Sequence, residues 1–117
     1  MKYSASILEV GENVNSMLQS GLLILFSQSA PAELRSYCVI TDDNHLVGQV
    51  EKGDTFMIVE HSYIITAIGE LANENLYSLG HVSLCFDGAD KPKLPGYIHL
   101  KPRFQSTLSI SGKIMIK

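Results

Sequence analysis

The chain has no excess of basic residues: 9 Lys and Arg stand against 12 Asp and Glu, for a net charge of −3. That balance supplies neither a nucleic-acid footprint nor a polybasic membrane patch. Long apolar runs are also missing. The longest unbroken block is Leu22-Leu23-Ile24-Leu25-Phe26, far short of the ~20 residues that span a bilayer. The opening Met-Lys-Tyr-Ser-Ala-Ser-Ile-Leu lacks the apolar core of a signal peptide. A cytoplasmic protein with no direct membrane insertion is expected. Cysteine is scarce: Cys38 and Cys85 lie far apart, with no CxxC and no cysteine–histidine cluster around either. They read as two reduced core thiols, and nothing else in the sequence suggests a disulfide. The four histidines, His45, His61, His81 and His99, show no HxH or HxxxH spacing, so no metal site is expected. There is no Gly-rich phosphate loop and no GxSxG elbow.

What is present is a chain of 117 residues, 45% apolar, a size that makes one domain with one core over residues 1–117. Most of it reads as short strands: residues 7–10, 22–26, 39–40, 46–50, 55–59, 63–68, 81–86, 97–100 and 113–116. Glu51-Lys52-Gly53-Asp54 reads as a turn, since Gly53 can take positive φ. In His81-Val82-Ser83-Leu84-Cys85-Phe86, the residues Val82, Leu84 and Phe86 share one apolar face. Two short helices are expected. One starts near Ser29, with Pro31 and Glu33 in its first turn, and stops before Val39-Ile40. The other runs over residues 72–79, with Gly80 suited to the left-handed position after its last turn. Neither is long enough for a bundle. The expected class is mainly all-β, a small closed or nearly closed β-barrel with one or two short helices.

The histidines differ in setting. His61 and His81 each open a strand beside a turn-type segment, and read as partly buried rings bonded to loop backbone. They are also expected to lie close together, in a cleft beside the segment that holds Thr41. His99 alternates with Ile98 and Leu100, which places it on a solvated rim. His45 sits in the polar stretch Thr41-Asp42-Asp43-Asn44-His45, where an imidazole is exposed and reachable. It is the candidate catalytic residue. Ser83, Cys85 and Asp87 recur on one strand face and read as a polar sheet face.

Several blocks resemble a known family. Ala30-Pro31-Ala32-Glu33-Leu34 and Tyr37-Cys38-Val39-Ile40 look like the segment before the active loop of glucitol/sorbitol-specific phosphotransferase-system IIA proteins. His61-Ser62-Tyr63-Ile64-Ile65-Thr66-Ala67-Ile68-Gly69 is similar to that family's HxYxVTAVG run. Asn75-Leu76, Leu79-Gly80-His81-Val82-Ser83-Leu84 and Phe86-Asp87-Gly88 resemble its NLxxLGHVTLxFDG signature, and Pro95-Gly96 with His99 fits PGxxH. The resemblance implies a phosphocarrier, a transferase without a bound cofactor. A histidine would take a phosphoryl group from the histidine phosphocarrier protein and pass it to the IIB domain, while the membrane IIC component moves and selects the sugar. Such chemistry needs a neutral imidazole nitrogen as nucleophile and donors for the phosphate charge.

The chain departs from the pattern in one place. The family's phosphorylated histidine falls three residues after Cys38, on Thr41, and a second family histidine falls on Asp43. A threonine phosphate does not hand its group on readily, and Asp42 and Asp43 repel an incoming phosphate. Two readings follow. Either His45 has taken over from the same loop, or the chain is a non-catalytic IIA-like binding or regulatory module, which the missing histidine by itself favours.

Overall fold

Alternation of apolar and polar residues along short strands builds a wall that closes on itself. In a computed structural model of the chain, residues 1–42, 46–104, 108 and 112–117 are described. The strands are β1 (Tyr3–Val10), β2 (Leu22–Ser27), β3 (Cys38–Thr41), β4 (Thr55–Ile58), β5 (His61–Ile68), β6 (Val82–Cys85), β7 (Tyr97–Lys101) and β8 (Lys113–Ile116). The helices are α1 (Val14–Gln19) and α2 (Ala72–Leu79), with a 3-10 segment at Ala32–Tyr37. The strands form a closed barrel in the order β1-β3-β2-β6-β7-β5-β4-β8. The pairs β2/β3 and β6/β7 run parallel; the other neighbours are antiparallel. The expected mainly-β barrel with short helices is the architecture found.

Inward positions alternate as the pleat requires. Tyr3, Ala5 and Ile7 of β1, Leu23 and Leu25 of β2, Phe56 and Ile58 of β4, and Ile114 and Ile116 of β8 are all in the core. Val82, Leu84 and Phe86 are buried together there, as their shared face predicts. Both cysteines are buried and free, in line with two core thiols. Gly53 sits at φ +94 in the expected turn, and Gly80 at φ +64 ends α2 in the left-handed conformation.

Each end of the barrel has a plug, and each plug is held by an asparagine. At one end, Asn73 of α2 accepts the Val50 N–H at 2.7 Å and donates to the Val50 carbonyl at 3.0 Å. At the other, Asn15 of α1 accepts the Leu108 N–H at 2.8 Å and donates to its carbonyl at 3.1 Å. Val50 and Leu108 thereby enter the core as plug side chains. Residues 46–50 are therefore not the expected strand: Asn73 takes the Val50 backbone groups that a ladder would have used. The sequence reading also had no helix at Val14–Gln19; Val14 and Leu18, one turn apart, are its buried face. The helix expected from Ser29 is the 3-10 segment, which buries no residue of its own.

Candidate functional site

The residues on which phosphoryl chemistry would turn gather at the α2 end. β2 and β3 are in parallel register with Phe26 opposite Ile40 and Ser27 opposite Thr41. β6 is antiparallel to β2 with Val82 opposite Leu25, so His81 comes level with Phe26. The ends of β2 and β3 and the start of β6 thus form one rim holding Ser27, Thr41 and His81.

Thr41 is fully buried, and its hydroxyl donates to the Phe26 carbonyl at 3.4 Å. Beside it the buried Tyr3 hydroxyl makes no well-formed hydrogen bond among the described residues, with the Thr41 hydroxyl as its nearest polar influence. Burial pushes Tyr3 up to about 12, with Thr41 acting against the shift and Asp42 adding to it. The half-exposed Asp42 carboxylate accepts the Ser6 N–H at 2.8 Å, and the Asp42 N–H donates to the Ser6 carbonyl at 3.0 Å. His45, the candidate acceptor, and Asp43 fall in residues 43–45, outside the described residues.

His81 is half-buried and stacks on Phe26, with ring centroids 4.4 Å apart and planes at 16°. Phe26 is fixed from behind by Ala30, Cys38 and Ile40. Desolvation lowers the His81 pKa, which favours the neutral imidazole. Among the described residues neither His81 nor His61 bonds a loop backbone through its ring, contrary to the reading of both as backbone-bonded. The two are not neighbours. His61 opens β5 opposite Ile58, while the other end of β5, Ile68, lies level with the start of β7, and β7 starts beside β6. His61 is therefore exposed at the opposite end of the barrel, against Phe104.

His99 is also corrected: it is completely buried, not on a solvated rim. Its side chain does point away from Ile98 and Leu100, but residues 87–95 fold over that face. The Lys93 N–H donates to Nε2 at 3.1 Å, which places the ring proton on Nδ1, 2.8 Å from Asp87 Oδ1. Burial alone would raise the Asp87 pKa. The Ala89 N–H, His99 and Lys93 outweigh it and bring the carboxyl down to about 2. Cys85 completes a group whose candidate ligand atoms lie within 4.8 Å of one another. Both His99 nitrogens are committed, so this trio is built as a loop anchor and not as a cation site. Sequence reading had taken Ser83, Cys85 and Asp87 as a plain polar face; that Asp87 and His99 belong to two separate family-like blocks was the available signal.

Beside the rim, an open cleft of about 390 Å³ runs between residues 46–49 and α2, lined in part by Glu70, Glu74 and Tyr77. Among the described residues, no helix is long and apolar enough to cross a membrane.

Fold and site define a small closed-barrel domain with a half-buried imidazole, His81, at one rim. Comparison with known proteins makes this particular. The family profile described as "PTS system glucitol/sorbitol-specific IIA component" matches residues 2–115, and the chain belongs to that family. It is 38% identical over 98 residues to the PTS system glucitol/sorbitol-specific EIIA component of Shigella flexneri, and equally to that of Escherichia coli strain K12. Each match covers 84% of this chain and 80% of the relative. The crystal structure of a PTS system IIA component from Enterococcus faecalis V583 superposes with a TM-score of 0.79 at 26% identity, over 96% of this chain and 97% of the other. As a IIA component of a glucitol/sorbitol-type phosphotransferase system, the chain works with other proteins of that system.

Proposed function

We propose that the chain, acting in the cytoplasm as one domain over residues 1–117, takes a phosphoryl group from the histidine phosphocarrier protein onto His45. It then passes the group to the IIB component that serves the membrane IIC. The observation that carries this reading is the state of Thr41: at the family's acceptor position stands a fully buried hydroxyl already donated to the Phe26 carbonyl. An acceptor has to come from elsewhere, and His45 is the first imidazole after β3. A lone pair on its ring attacks the phosphorus of the donor's phosphohistidine. The new N–P bond forms as the donor's N–P bond breaks, and that bond pair returns to the donor ring. The same exchange in reverse hands the group to IIB. The acidic cleft with Glu70 and Glu74 supports docking of partners with basic surfaces.

The test is incubation with phosphoenolpyruvate, the general phosphotransferase enzyme and the histidine phosphocarrier protein. One acid-labile phosphate per chain is expected, and His45→Ala abolishes it. A chain that takes up no acid-labile phosphate overturns this reading.

A further inference from the structure

We propose that His81 is a phosphoryl-binding group of this rim: a ring N–H hydrogen-bonds the oxygens of a phosphoryl group passing across the ends of β2, β3 and β6. A neutral imidazole carries one donor and one acceptor. Among the described residues the His81 ring has no hydrogen-bond partner. Its plane is nonetheless fixed, by the stack on Phe26 at 4.4 Å. A ring held rigidly with unused polar edges is organised for something that arrives, which is what stabilisation of transferring charge requires.

The surroundings supply further donors. Gly80 lets the end of α2 close onto β2, where an added Cβ would come within 2.9 Å of the Ser27 Cβ. That contact sets the Ser27 hydroxyl, hydrogen-bonded to that of Ser29 at 2.7 Å, against Gly80, the residue before His81. Arg35 stands behind this turn, donating to the Gln28 carbonyl at 3.1 Å, but its guanidinium is paired with Glu9 at 2.8 Å and is not free for a ligand. Asp42, the residue after β3, accepts the Ser6 N–H. Burial keeps the ring neutral, so it retains its N–H donor without becoming a fixed cation. No other described histidine fits: His99 has both nitrogens committed, and His61 is at the far end. The inference rests on the phosphoryl-transfer reading above.

Two measurements on the full chain test it. In the first, inorganic phosphate is titrated while ring nitrogens are followed by 15N NMR. The His81 resonances should move saturably, and those of His61 and His99 should stay. In the second, the labelling rate is compared for the unaltered chain, His81→Ala and His81→Gln, with thermal unfolding confirming that each variant is folded. His81→Ala should label about 10²-fold more slowly, the loss typical of one removed transition-state donor, with the phosphate on the same residue as before. His81→Gln, which restores an N–H, should recover most of the rate, as a merely structural role would not. Wild-type labelling rates in both variants, or phosphate mapped to His81 itself, would overturn the proposal. So would a ring indifferent to phosphate. A chain that never labels but whose His81 still responds to phosphate defeats the transfer reading and supports this one.

Discussion

At Tyr3 the barrel encloses a hydroxyl that no described residue pairs in good geometry. Leaving a buried hydroxyl unsatisfied costs about 1–3 kcal/mol, while the ring around it fills core volume. Tyr3→Phe keeps the ring and removes the orphan, so its stability should be unchanged or raised by up to about 1 kcal/mol; a large loss in urea unfolding would mean that the hydroxyl has a partner. Asp87 makes the opposite case, a polar group with many partners. Its folded pKa of about 2 lies below the ordinary carboxylate value of 3.8. The unfolded chain therefore binds the proton first, and the stability Asp87 contributes is fully present above about pH 4 and lost as pH falls towards 2. Asp87→Asn should flatten the acid limb of the stability profile over that window, and an unchanged limb would refute the assignment. His99, its partner, shows why single residues were harder to read than strands. The alternation placed its side chain correctly on the outer face. Only residues 87–95 folding back over that face make the position buried, and such long-range cover leaves no periodic trace in the sequence.

Elements were legible where one face is apolar and the ends carry turn chemistry. β6 is the clearest case: Val82, Leu84 and Phe86 alternate with polar residues, and all three are in the core. Leu84→Ala should cost about 2–5 kcal/mol, read from the unfolding midpoint; near-neutrality would mean that the strand register is wrong. α2 was equally plain, because Gly80 marks its end in sequence and takes φ +64 in the fold. Residues 46–50 misled because Leu46, Val47 and Val50 suggest a strand, while what orders Val50 is Asn73, over 20 positions away. Asn73→Ala leaves the Val50 N–H and carbonyl unpaired together, and should destabilise the chain by about 1–3 kcal/mol. Equal stability of Asn73→Ala and the unaltered chain would show that water replaces the amide there without loss.

Closure governs the behaviour of the whole molecule. With β8 paired to both β1 and β4, the ladder has no exposed edge from which a strand can peel. Opening short of global unfolding must then begin at the plugged ends, where single asparagines hold irregular backbone. On the function proposed above the rim at the α2 end meets partners, and its plug residue Val50 is tied down by Asn73, which fits the drawing of binding regions from the low-stability end of a structure. Native-state hydrogen exchange tests this separation. The Val50 amide, bonded only to a side chain, should exchange through local opening, while amides of β6 and β7 at Leu84 and Ile98 should need global unfolding. Asn73→Ala should speed exchange at Val50 far more than its loss of global stability accounts for, and should change Leu84 and Ile98 only by that global amount. If all of these amides shift by the same factor, plug and wall unfold as one unit, and Asn73 sets no separate local opening at the rim.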